Sequence, residues 1–249
     1  ALIAIVPLFF VRIPQPKRAQ SATTTEAKPS LWSDLREGLR YMVSWPGLLL
    51  LGLIATVLNF LFNPAFSLMP ILVTKHFGGQ AMQLAWIDSA WGIGIVVGGV
   101  TLSVWGGFRR RMVTSLVGLI GMGAATLLIG LAPANAFWLA LSSMFVAGFM
   151  NVICNGPIQA LFQAKIAPEM QGRVFTLIGS VTAGMSPLGM IIAGPVADTL
   201  GVRFWFVMAG AVCVLMGLVV TLIPSVMHLD ETNGHVTEAP AASVPVMAA

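Results

Sequence analysis

A chain of 249 residues that is 57% hydrophobic and only 9% charged cannot clothe a water-facing surface, because soluble domains carry about 25% charged residues. The formal charge of +4 comes from basic residues placed mostly between apolar runs. That pattern argues against a nucleic-acid partner and for a lipid bilayer as the main solvent.

Residues 1–11 form an apolar run with neither an initiator Met nor a basic n-region. At about 1.5 Å per residue the run is too short to cross a core about 30 Å thick. It reads as the end of an upstream transmembrane helix. Residues 12–46 read as a cytoplasmic linker: Pro14, Pro16 and a Ser/Thr run disfavour regular structure. Within it, Leu31, Leu35, Leu39 and Met42 recur at helical spacing over 30–44, opposite Asp34, Arg36, Glu37 and Arg40. This pattern fits a helix lying on the membrane surface.

Six apolar runs follow, at 47–73, 83–105, 112–132, 136–163, 174–199 and 203–224. Each is long enough to span, and the short connections make neighbours antiparallel. The fold class expected is an all-α integral membrane bundle of six helices. Residues 225–249, rich in Ala, Pro, Ser, Thr and Val, read as a disordered tail.

Orientation follows from the basic residues. Placing Arg109, Arg110 and Arg111 on the cytoplasmic side brings Arg12, Lys17, Arg18, Lys28, Arg36, Arg40, Lys165 and Arg173 to the same side. Of all 13 Lys and Arg, only Lys75 and Arg203 then lie outside. Such a bias predicts a multi-pass protein of the inner (plasma) membrane with linker and C-terminus in the cytoplasm.

Two spans carry a polar stripe. Thr56, Asn59, Asn63 and Ser67 recur at steps of three and four in the first, and Asn151, Asn155, Gln159 and Gln163 at steps of four in the fourth. Such a stripe is either the wall of a polar cavity or interhelical hydrogen-bond glue. Its presence in the first member of each set of three favours a cavity wall and a three-plus-three inverted repeat. The third member of each set reads as the most lipid-like. The second and fifth spans are glycine-rich (Gly92, Gly94, Gly98, Gly99; Gly179, Gly184, Gly189, Gly194), which permits close helix approach.

Ionisable groups within the spans are few. Asp88 fits either a carboxylate favoured near a helix N-terminus or a proton-titrating group of an outer vestibule. Asp198 reads as a helix-end residue placed to pair with Arg203. Cys154 and Cys213 read as packing residues. No Ser/His/Asp set and no metal-ligand cluster is visible, so neither an enzyme nor a metal or other cofactor is expected.

Three motifs carry a family resemblance. Gly106-Gly107-Phe108-Arg109-Arg110-Arg111 sits where a Gly-x-x-x-Asp-Arg-x-Gly-Arg-Arg loop would be. Pro168-Glu169-Met170-Gln171-Gly172-Arg173 is similar to a Pro-Glu-x-x-Gly-Arg loop, and Gly194-Pro195-Val196-Ala197-Asp198 to a Gly-Pro-Leu-Ala-Asp helix end. In this order they resemble the C-terminal half of a major facilitator superfamily transporter. The segment Leu31-Trp32-Ser33-Asp34-Leu35-Arg36-Glu37-Gly38-Leu39-Arg40-Tyr41 is similar to the macrolide-efflux and enterobactin-exporter branch. The resemblance implies proton-driven export of a small-molecule substrate and a partner in an N-terminal six-helix half. It also implies a cytoplasmic gate built from Arg109, Arg110, Arg111, Glu169 and Arg173. The acidic residue of the family's arginine loop is missing here, with Val104 or Trp105 in its place.

Overall fold

The computed structural model describes Arg36, Leu39, Arg40 and residues 42–223 apart from 167, with the Glu169 side chain also outside the description. The expected end of an upstream helix at 1–11, most of the linker and surface helix, and the tail at 225–249 lie outside the described residues.

Among the described residues, six helices are long and apolar enough to cross a membrane. They are α1 (Pro46–Ile71), α2 (Ala81–Trp105), α3 (Arg111–Leu131), α4 (Phe137–Lys165), α5 (Pro168–Leu200) and α6 (Val202–Thr221). The chain is a multi-pass membrane protein. Local chemistry marks the ends. Pro46 opens α1, where a missing N–H costs nothing. Gly106, at φ 75°, closes α2 with its N–H on the Leu102 carbonyl at 2.9 Å, a left-handed cap that favours glycine.

One boundary differs from expectation. The first span does not stop at residue 73 but continues through a π-helical turn, Leu72–His76, closed by Phe77 N–H donating to the Leu72 carbonyl at 3.3 Å. Lys75 and His76 hide this turn from a reading based on hydropathy.

The helices form two buried apolar clusters at opposite ends. One gathers Met42, Met112, Ile166, Val174 and Val220, from the starts of α1, α3 and α5 and the ends of α4 and α6. The other gathers Val73, Ile87, Ile129, Ala193 and Trp205 from the opposite helix ends. This is the arrangement of six alternating crossings. Three crossings per set leave the second set inverted relative to the first.

The packing partners repeat in the same way. The first helix of each set lies against the second of the other: α1 on α5, and α4 on α2. The third helix of each set lies against the first of the other, α3 on α4 and α6 on α1, and the two third helices pack on each other. Glycines set these distances. A Cβ on Gly94 would strike the Phe145 carbonyl, and one on Gly189 would sit 2.7 Å from the Phe60 carbonyl oxygen. Gly92, Gly99, Gly179, Gly184 and Gly194 meet nothing, so only part of each glycine-rich face is used within the bundle.

The expectation that third helices are the most lipid-like is corrected for both sets. The most apolar window of α3 is 61% buried and that of α6 39%, against 17% for α2 and 11% for α5. Hydropathy cannot distinguish lipid from apolar protein as a neighbour. The better signal was small residues: Gly118, Gly123 and Gly130 let α4 and α6 close on α3 from two sides.

Candidate functional site

A cavity of about 260 Å³ opens between α1 and α4. Asn59 and Asn63 reach it from α1, and Asn151 and Asn155 from α4. The rest of the wall is apolar and aromatic: Leu58, Phe62, Phe66, Trp91, Met122, Ile158 and Phe162 among others. Among the described residues, no charged side chain lines it.

The other stripe residues stand off the wall. Thr56, Ser67 and Gln159 do not line the cavity. Each residue turns about 100° round a helix, so every step of four drifts about 40°. Gln159, two such steps beyond Asn151, therefore faces about 80° away. On α1 the cavity face centres on Ala55, Phe62 and Phe66, which leaves Thr56 and Ser67 at the far edge of the stripe.

The α1 stripe bonds to its own helix. Thr56 Oγ1 donates to the Gly52 carbonyl at 2.8 Å, and Asn59 Nδ2 to Ala55 at 2.9 Å. Asn63 Nδ2 donates to the Asn59 carbonyl at 2.9 Å and to Asn59 Oδ1 at 3.2 Å, and Ser67 Oγ to Asn63 at 3.0 Å. On α4, Asn155 Nδ2 donates to the Asn151 carbonyl at 2.9 Å, while Asn151 Nδ2 reaches only the Met122 sulfur, at 3.7 Å. Donation to the fourth residue back tends to bend a helix. In α1 it adds to Pro64 and Pro70, which remove two backbone donors.

At the α3-start end, Arg109, Arg110 and Arg111 are exposed in the loop and first residue of α3. A helix N-terminus carries partial positive charge, so arginine there is not stabilised by the helix itself. The loop is held otherwise. Phe108 N–H donates to Thr114 Oγ1 at 2.8 Å, and the Trp105 and Phe108 rings meet edge to face at 4.7 Å. The nearby α4–α5 turn is tied by Gln171, whose Nε2 donates to the Gln163 and Ile166 carbonyls at 2.9 and 3.0 Å. Arg173 is half-buried two residues further on.

At the opposite end Asp88 is exposed, away from the cavity. The expected Asp198–Arg203 pair is not formed. Arg203 donates instead to the Gly130 and Leu131 carbonyls at 2.9 and 3.3 Å, and His76 Nε2 lies 2.9 Å from the Ala132 carbonyl oxygen. The last carbonyls of α3 lack partners in their own helix and attract cations, whereas Asp198 is exposed on the outside of the bundle. The sequence reading missed His76 because it ended the span too early.

The Major Facilitator Superfamily sequence model matches residues 1–187 and 48–247. The chain belongs to the major facilitator superfamily. Its relatives within that superfamily include efflux proteins. It is 29% identical over 231 residues to macrolide efflux protein A of Streptococcus pyogenes, covering 92% of this chain and 56% of that protein. It is 30% identical over 200 residues to the multidrug efflux pump Tap of Mycolicibacterium fortuitum, covering 78% and 47%. An uncharacterized transporter of the same type, YfiS of Bacillus subtilis, is 32% identical over 233 residues, covering 89% and 53%. The chain thus spans about half the length of these relatives. Among the described residues it carries six helices long and apolar enough to cross a membrane.

Proposed function

We propose that the chain is the C-terminal half of a secondary transporter that exports amphiphilic small molecules, such as macrolide-like drugs or siderophores, by alternating access. The observation that carries this reading is the cavity between α1 and α4, where four asparagines face seven or more apolar and aromatic side chains. Pockets of mostly apolar lining with a few placed polar groups suit amphiphiles. A complementary six-helix half would supply the opposing wall. Because no carboxylate among the described residues lines this cavity, we place the main proton-binding groups on that half, with Asp88 as an outer candidate. No cofactor or enzymatic step is invoked; a proton gradient drives the cycle. The arginines at 109–111 and Arg173 would form the cytoplasmic gate with Glu169, in a plasma membrane that keeps the linker and tail inside.

The test is single-cysteine labelling in the full-length polypeptide, in a background lacking Cys154 and Cys213. Positions 59, 63, 151 and 155 should react with a water-soluble thiol reagent and be protected by a transported macrolide. Uniform protection of all four without substrate would sink the cavity reading. A lack of any proton-driven drug movement in proteoliposomes would favour a non-transporting scaffold instead.

A further inference from the structure

The cavity between α1 and α4 has an ordered interior, and both helices give the same order. On α1 its wall runs from Leu51 and Leu58 to Asn59 and Asn63, and then to Phe66. On α4, which crosses the opposite way, it runs from Phe162 and Ile158 to Asn155 and Asn151. An apolar compartment thus leads to a carboxamide layer. Beyond that layer lies a second cavity of about 10 Å³, with Ala65 and Met69 from α1 and Ala147 and Met144 from α4. Three residues line both spaces, Phe62, Phe66 and Trp91, and all three are aromatic. They form the partition between the two. The Phe66 and Trp91 rings meet edge to face at 4.8 Å and 68°, across two helices that share little close packing. The second cavity has room for about one water-sized group. Among the described residues, Thr126 alone gives it a polar side chain, and that hydroxyl already donates to the Met122 carbonyl at 2.9 Å.

We propose that the Phe66–Trp91 pair makes the site one-sided: it takes amphiphiles whose polar group carries one apolar arm and excludes those with apolar arms on both sides of that group. The claim rests on the export reading, which makes this cavity the ligand site. With the polar group level with the asparagines, one arm lies along Leu51, Leu58 and Ile158, and a second arm points at the rings. To go further it must part them and enter a space too small for a short alkyl chain. Forcing methylenes into a filled interior is unfavourable. The two rings are carried differently. A Cβ on Gly148 would strike the Trp91 carbonyl, so α4 holds the Trp91 backbone at close approach. Phe66 sits between Pro64 and Pro70, and Pro70 lacks the N–H that would bond the Phe66 carbonyl. Trp91 therefore sets the position of the wall, and Phe66 closes it.

The experiment uses the full-length polypeptide and a series of neutral ureas. Each carries a dansylhexyl arm on one nitrogen and hydrogen, ethyl or butyl on the other. Fluorescence titration in detergent gives affinity, and proteoliposomes under a proton gradient give movement. Comparing variant with wild type at each arm length cancels partition of the probe into detergent. Trp91→Ala and Phe66→Ala, tested separately, should leave the hydrogen probe unchanged, which also reports an intact fold. Each should tighten the butyl probe by roughly tenfold, since a newly buried methylene is worth roughly fourfold. The ethyl probe should fall between. Phe66 is exposed on the bundle, so its variant keeps the test sound if Trp91→Ala does not fold. A variant-to-wild-type ratio that does not change with arm length would overturn the one-sided site, as would a loss for every probe in Phe66→Ala. Binding of no probe by the wild type would also overturn it. The expected ratios without proton-driven movement of the hydrogen probe would defeat the export reading and leave the one-sided site standing.

Discussion

Arg203, at the start of α6, donates to the carbonyl oxygen of Gly130 at 2.9 Å, 73 residues earlier in the chain. With the bond to Leu131 and the His76–Ala132 contact, it ties α1, α3 and α6 at one end. Arg203→Ala should lower the thermal unfolding temperature in detergent by a few degrees, for a loss of about 1 kcal/mol. Arg203→Lys should recover only part, since an ammonium lacks the fork that meets two carbonyls. An Ala variant as stable as the wild type would show the tie to be idle.

Trp205 is almost fully buried and donates Nε1–H to the Leu61 carbonyl at 2.9 Å, beside the Pro64 break in α1. Trp205→Phe should cost about 1–3 kcal/mol, from the lost bond and reduced volume. Trp205→Ala should cost about 3–5 kcal/mol. Equal stability of the Phe variant in chemical denaturation would show that the indole N–H contributes nothing.

Gly94→Ala should destabilise by about 1–3 kcal/mol, because its Cβ meets α4 backbone and no side chain can yield. Gly99→Ala, five residues on, meets open space and should be neutral or slightly stabilising. If thermal melts show Gly99→Ala to be as damaging as Gly94→Ala, another polypeptide covers that face.

Thr114→Val removes the acceptor that holds Phe108 N–H. It should loosen the loop and raise the rate of trypsin cleavage at Arg109–Arg111 several-fold, with little change in global melting. Unchanged cleavage would show that the glycine turn and the Trp105–Phe108 contact suffice.

These variants also separate what could be read from residues alone. Span positions were legible because lipid demands long apolar runs, and the antiparallel order followed from short loops. The convergence of Asn59, Asn63, Asn151 and Asn155 was legible from their periodicity. The placement of Thr56, Ser67 and Gln159 was not, since a helix turns 3.6 residues at a time and the cavity face depends on where partners sit. Nor was the burial of α3 legible, because Leu and Ile look the same against lipid as against another helix. The Asp198–Arg203 expectation failed for a related reason. Proximity in sequence suggested a partner, but the carbonyls of a distant helix end offered a better one.

The ladder of bonds that α1 makes to itself has one more consequence. Hydroxyl and amide protons that point back at their own backbone do not need solvent, so water can enter or leave beside them at little energetic penalty. Such a surface tolerates being wet and being dry about equally well. What changes between the two conditions is confined to the groups the helix leaves unsatisfied, such as the second amino proton of Asn59, whose Nδ2 makes one bond, to the Ala55 carbonyl.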